Sequence, residues 1–209
     1  MLRLRPRIVR CVVGLVLLGF GLALMVAADL GLAPWEVFHQ GISDRTGVPI
    51  GTVGIIVGGI VLLAWIPLGE RPGIGTVLNV IIIGGVIDLT LLWLETPDSL
   101  ALRIAFLAAG IFLWGPGSGL YIGVRLGPGP RDGLMTSLAR RHGKVGRIRF
   151  GIEAVVLVAG IALGGTAGVG TVIFVLMIGP LMSVYLPRYD LGPLRDPGDQ
   201  TPAVPSSDP

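Results

Sequence analysis

Apolar residues run through this chain in long blocks separated by short polar breaks. Six blocks, at 9–28, 50–68, 73–94, 100–124, 148–163 and 170–186, meet or approach the length of a transmembrane helix. A helix rises about 1.5 Å per residue, so about 20 apolar residues cross a hydrocarbon core about 30 Å thick. The fifth block is the shortest. Nothing between the blocks alternates with period two as a barrel strand would. The expected fold is all-α, a polytopic membrane protein with six transmembrane helices.

The breaks set the expected orientation. Arg3, Arg5 and Arg7 precede the first block and Arg10 stands at its start, Arg71 follows the second, and seven basic residues from Arg125 to Arg149 run from the end of the fourth to the start of the fifth. With Arg188 and Arg195, fourteen of the sixteen Lys and Arg residues fall on one side, leaving Arg45 and Arg103. Basic connections stay in the cytoplasm, so both termini are expected there. The first block resembles a signal peptide, but its counterpart recurs mid-chain, so it is expected to remain part of the fold.

That recurrence is the strongest pattern in the sequence. Gly73-Ile-Gly-Thr-Val-Leu-Asn-Val-Ile-Ile-Ile-Gly84 lies over Gly168-Val-Gly-Thr-Val-Ile-Phe-Val-Leu-Met-Ile-Gly179 with seven of twelve positions identical. Leu30-Gly-Leu-Ala-Pro-Trp-Glu36 lies over Leu126-Gly-Pro-Gly-Pro-Arg-Asp132. Biased composition yields one or two matches in the first comparison, so a real repeat is inferred. The transmembrane domain, 1–187, divides into repeats at about 8–94 and 100–187. Three spans per half is an odd number, so the second repeat enters the membrane inverted. Inverted repeats characterise many transporters and channels, with sites near the midplane at interrupted helices. The rival reading is a duplicated scaffold without a pore.

Each half carries a Gly/Pro-broken segment. Proline suits the first turn of a helix, and an acid close behind complements the positive end of its dipole. Pro34 with Glu36 and Pro130 with Asp132 therefore each open a short helix, the second closing near Arg140-Arg-His-Gly143. The two either dip into the membrane from opposite faces and converge on a small polar solute or cation, or lie flat with Trp35 as an interfacial anchor. The candidate substrate-binding residues are Pro34, Trp35, Glu36, His39, Gln40, Asn79, Asp88, Pro130, Arg131 and Asp132.

An ionisable group inside a span costs about 2.5 to 3.5 kcal/mol on insertion scales, so each needs a reason. Asp88 is expected to pair with Arg103, or otherwise to bind a cation or proton. Glu153 and Arg149, one turn apart, are expected to pair. Asn79 stands where the other half has Phe174, as a helix-to-helix hydrogen bond or an asymmetric ligand. Gly54 with Gly58, Gly160 with Gly164, and Gly115, Gly119 and Gly123 read as close-packing faces that also allow a homodimer. Pro116 and Pro180 are expected to kink their spans. The segment 188–209, rich in Pro, Gly, Asp and Ser, is expected to be a disordered cytoplasmic tail.

Composition agrees with a lipid solvent: 52 % hydrophobic residues, 34 glycines, 14 % charged residues and a mean hydropathy of +0.82. That balance excludes a soluble globular domain. Cys11 is the only cysteine, and His39 and His142 the only histidines, so no disulfide, metal site or cofactor is expected. The net charge of +3 belongs to the topology rather than to nucleic acid. No His-Glu-x-x-His, Gly-x-Ser-x-Gly, phosphate loop or Ser-His-Asp set is present, so no catalytic residue and no enzymatic activity are expected.

The run Gly31-Leu-Ala-Pro-Trp-Glu36, followed by His39-Gln-Gly-Ile-Ser43 and Thr46-Gly-Val-Pro-Ile-Gly-Thr-Val-Gly54, resembles the YczE/YitT-type bacterial membrane proteins, most closely the YczE type. The resemblance covers 8–187. It implies a six-span protein of the bacterial cell membrane and assigns no chemistry. The leading expectation is a secondary carrier or channel for an unknown small solute; the alternative is a non-transporting scaffold or regulatory factor that binds a partner through 125–149 or the tail.

Overall fold

The computed structural model describes residues 4–192, which form eight α-helices with no strand among them. These are α1 (Leu4–Ala28), α2 (Pro34–Thr46), α3 (Ile50–Leu63), α4 (Ile74–Leu91), α5 (Leu100–Gly123), α6 (Pro130–His142), α7 (Val145–Ala162) and α8 (Val169–Tyr189). Helices α1, α4, α5 and α8 are each long and apolar enough to cross a membrane, and α2 with α3 form a further apolar pair bent by 115° at 47–49. The chain is a helical membrane protein with several apolar helices.

Two expected spans take a different form. Helix α3 has 14 residues and stops at Leu63 rather than 68, about 21 Å at 1.5 Å per residue. The chain then turns through Pro67 and Gly69, the latter at φ +72 where a side chain is disfavoured. Helix α7 carries Arg147, Arg149 and Glu153 in its first three turns, too polar for a plain apolar span. Helices α5 and α8 run on through Pro116 and Pro180. The expected tail is also corrected at its start, because α8 continues through Pro187 to Tyr189 and the chain stays packed to Gly192. Residues 193–209 lie outside the described residues.

Helices α1 and α5 cross antiparallel at the centre. A Cβ on Gly14 would lie 2.6 Å from the Gly117 carbonyl oxygen, and one on Gly21 2.9 Å from that of Gly110, so these glycines set the helix separation. Gly115 and Gly119 accept the rings of Tyr185 and Tyr189 from α8, and Gly58 packs on Val80. Gly164 is different: it follows α7 at φ +100 in open space and serves a turn.

The two halves grip each other by contacts made twice, 95 or 96 residues apart. Arg7 donates to the Val124 carbonyl at the end of α5 (2.9 Å), and Arg103 to the Ala28 carbonyl at the end of α1 (2.7 Å). Arg45 donates to Leu163 (2.9 Å) and Arg141 to Leu68 (3.0 Å). The Gly170 N–H donates to the Leu30 carbonyl (2.8 Å) and the Gly75 N–H to that of Leu126 (2.9 Å). The last four carbonyls of a helix lack intrahelical partners, and a guanidinium both bonds them and complements the dipole. Thr76 and Thr171 repeat a further device, each hydroxyl accepting from the N–H of the glycine before its helix, at 3.1 and 3.2 Å.

At one end of the bundle Arg125 pairs with Asp190 at 2.6 Å, while the Leu191 N–H donates to Gly123. The guanidinium holds the Asp190 carboxyl below its ordinary range. A carboxyl lowered in the folded state contributes stability that is full above its unfolded value, about 3.9, and is lost as pH falls through the folded one. The thermal midpoint of Asp190→Asn is therefore expected to fall slightly below the parent's at pH 5 and above. The gap should close on acidification below about pH 4. A gap unchanged down to pH 2.5 would contradict the pairing.

Candidate functional site

The stretches 29–33 and 125–129 follow the ends of the antiparallel α1 and α5, and each lies against the start of a helix from the other half, α8 and α4 respectively. Positive φ bends both at equivalent places: Asp29 (47°) and Gly31 (110°) in one, Arg125 (56°) and Gly127 (125°) in the other. Each delivers a 13-residue helix opened by proline. The two helix starts meet, Arg131 at the start of α6 lying 2.8 Å from Glu36 at the start of α2.

They meet through charge. Arg131 of α6 donates to Glu36 Oε1 of α2 at 2.8 Å, and its Cζ lies 4.8 Å from the centre of the Trp35 ring. The Glu36 side chain is 4 % exposed and that of Arg131 35 %. A buried carboxylate demands such a partner, because leaving it unpaired is expensive. The stacked ring adds a cation–π contact.

This pair borders a cavity of about 140 Å³ to which all eight helices contribute. One water requires about 10–15 Å³, so the space suits a solute of several heavy atoms. Pro34, Trp35, Glu36, His39, Asn79, Pro130, Arg131 and Asp132 all line it. Two candidates do not. Gln40 turns aside to accept the Thr166 N–H at 2.7 Å. Asp88 accepts the Gly51 N–H at 2.6 Å and the Thr52 hydroxyl at 2.7 Å. The expected Asp88–Arg103 pair is thus corrected: Asp88 caps the start of α3, where orphan N–H groups and the dipole favour a carboxylate. Arg103 pairs instead with Asp29 at 2.9 Å.

Sequence reasoning missed several lining residues. Trp114 and Ser118 lie one turn apart on α5, as Trp35 and His39 do on α2, and all four line the cavity. The Trp35, Trp114, His39 and Ser118 side chains each hold a buried polar atom with no hydrogen-bond partner: Nε1, Nε1, Nε2 and Oγ respectively. The signal for the pair on α5 was two polar-tipped residues at helical spacing in an otherwise apolar span. Arg149 and Glu153, paired as expected at 3.0 Å, also line the space. Asn79 faces it together with its counterpart Phe174, which meets Trp114 edge-on at 5.4 Å. Gly54 leaves room for the His39 ring, its would-be Cβ lying 3.4 Å from Nδ1.

Comparison with known proteins places the chain among relatives. A family model described as a family of unknown function, DUF6198, matches residues 5–187. An uncharacterized protein of Haemophilus influenzae is 40 % identical over 171 residues, covering 81 % of this chain and 78 % of that one. The uncharacterized membrane protein YczE of Bacillus subtilis is 33 % identical over 179 residues, 84 % of this chain and 83 % of its own. The uncharacterized protein YyaS of the same bacterium is 26 % identical over 182 residues, 84 % and 90 % of the two chains. No solved structure matches. With nearly all its described length matched by one family model and a third of the aligned residues shared with YczE, the chain belongs to the DUF6198 family of YczE-like membrane proteins.

Proposed function

We propose that this protein is a secondary carrier or channel for a small polar solute in the bacterial cell membrane, built from two inverted three-span repeats with both termini in the cytoplasm. The observation that carries the reading is the cavity where the two proline-opened helices meet. Four buried polar atoms without protein partners line it, and buried polar groups are otherwise almost always bonded. The inverted repeat is supported by the antiparallel α1 and α5 and by the contacts made twice between the halves. Cavity positions come in equivalent pairs, Trp35 with Arg131, Glu36 with Asp132 and Asn79 with Phe174, as expected of a site on the axis between repeats. On this reading the protein catalyses no reaction and holds no cofactor, and its only obligatory partner is the bilayer.

The test is aqueous access to the cavity. In a Cys11→Ala background, Asn79→Cys and Ser118→Cys are each expected to react in intact cells with a small membrane-impermeant thiosulfonate. Reaction only with a lipophilic maleimide at both positions would overturn the solute path. That outcome favours the alternative, a scaffold that binds a partner through the basic segment 125–149.

A further inference from the structure

The charges around the cavity are unevenly matched. Arg131 is held by Glu36 at 2.8 Å and Arg149 by Glu153 at 3.0 Å, so each guanidinium lining the space already has a carboxylate. Carboxylates outnumber guanidinium groups there three to two. The third is Asp132, which is exposed and lines the cavity. Among the described residues its carboxylate accepts no hydrogen bond and lies beyond ion-pair distance of Arg131 and Arg149, although it stands in the field of both.

Three of the unpartnered polar atoms belong to residues more than nine-tenths buried: Trp35 at 8 % exposure, His39 at 4 % and Ser118 at 1 %. With Trp114 they present two indole N–H groups, which only donate and so require an acceptor. The remaining wall is mainly apolar and aromatic, including Trp114, Phe174 and Tyr121. Aromatic faces attract cations through their ring quadrupoles.

We propose that the cavity binds a small organic cation, with an ammonium-type charge set against Asp132 and an apolar body bearing an acceptor oxygen for the indole N–H groups of Trp35 and Trp114. The proposal rests on reading the cavity as a solute site and adds the class of solute. An anion would find both guanidinium groups already paired and would confront Asp132. A purely apolar molecule would leave the buried donors without partners, which costs free energy for each one. An organic cation with one acceptor oxygen meets both demands.

The test uses the full-length protein in an uncharged maltoside detergent, with binding read by thermal midpoint and tryptophan fluorescence. The probes are choline, its neutral isostere 3,3-dimethylbutan-1-ol, tyramine and the anion 3-(4-hydroxyphenyl)propanoate. Choline and tyramine are expected to bind saturably, and the neutral and anionic probes at least tenfold more weakly. Asp132→Asn is expected to weaken both cations at least tenfold, and Asp132→Glu to restore part of the loss. Should Asp132→Asn fail to fold, the comparison of probes on the parent decides alone. Equal binding of choline and its isostere, tighter binding of the anion, no binding of either cation, or cation binding unchanged in a folded Asp132→Asn would each overturn the proposal. Failure here with Ser118→Cys still open to polar thiol reagents would remove the cation and keep the aqueous site. Failure of both would remove the site itself.

Discussion

Replacing Arg131 with alanine is expected to lower the stability of the purified protein by about 3 kcal/mol. Removing one partner of a buried ion pair typically costs about 3–5 kcal/mol, because the other charge is left unpaired. The lower end applies since the Arg131 side chain is 35 % exposed whereas that of Glu36 is 4 % exposed. The loss includes the guanidinium's contact with the Trp35 ring, 4.8 Å away. Glu36→Gln alone should cost a similar amount by leaving the guanidinium without its carboxylate. The double variant Glu36→Gln/Arg131→Ala should lose clearly less than the sum, because no charge remains to be desolvated. Unfolding of the four proteins in one detergent measures this. Additivity within about 0.5 kcal/mol would show that the two helices are not coupled through this pair.

The second large effect concerns the backbone path that delivers those helices. Gly31 has φ +110, and a Cβ there would lie 2.6 Å from the Gly168 nitrogen and 2.8 Å from its Cα. Gly31→Ala thus combines a strained conformation with a clash against backbone that cannot rotate away. Each term costs about 1–3 kcal/mol, so the sum is about 2–6 kcal/mol. The shift would also strain the neighbouring bond from Gly170 N–H to the Leu30 carbonyl. Gly127→Ala, with φ +125 and a Cβ 2.6 Å from Thr76 Oγ1, should behave alike. Gly47→Ala is the control: its φ is +72 but nothing lies within 4 Å, so strain acts alone, about 1–2 kcal/mol. If Gly31→Ala proves no worse than Gly47→Ala, the close approach of the two halves at this point is wrong.

Much of this arrangement is legible in the chain because its causes are local. A proline followed by an acid two residues later starts a helix wherever it stands, and both 13-residue helices begin where that pattern puts them. Arg149 and Glu153 pair because one turn separates them. What was not legible depends on partners far along the chain. Asp88 lay at the right depth for Arg103, yet the start of α3 packs against α4 there and offers two donors at closer range. From sequence, Arg7 reads only as a topology charge, and Arg103 as that and as a partner for Asp88. Their shared context, Arg-Ile with a glycine seven residues after the arginine, at 7–14 and 103–110, was the available sign that both do the same work. The meeting of Trp65 with Gly133 left no such sign. Its indole fills the space where a Cβ would stand, and its N–H donates to the Pro130 carbonyl at 3.1 Å.

The reciprocal arginine caps bear on how the chain is made. Ribosomes add about 5–20 residues per second. The Ala28 carbonyl receives its guanidinium from a residue 75 positions later, and the Leu30 carbonyl waits for Gly170. For roughly 4–15 seconds the end of α1 therefore stands in the membrane without its cap, at the elongation rates just given. An N-terminal half released early would remain in that state permanently. Nascent chains truncated near residue 95 should accordingly be bound by membrane chaperones and degraded, while the same fragment co-expressed with the remainder should persist.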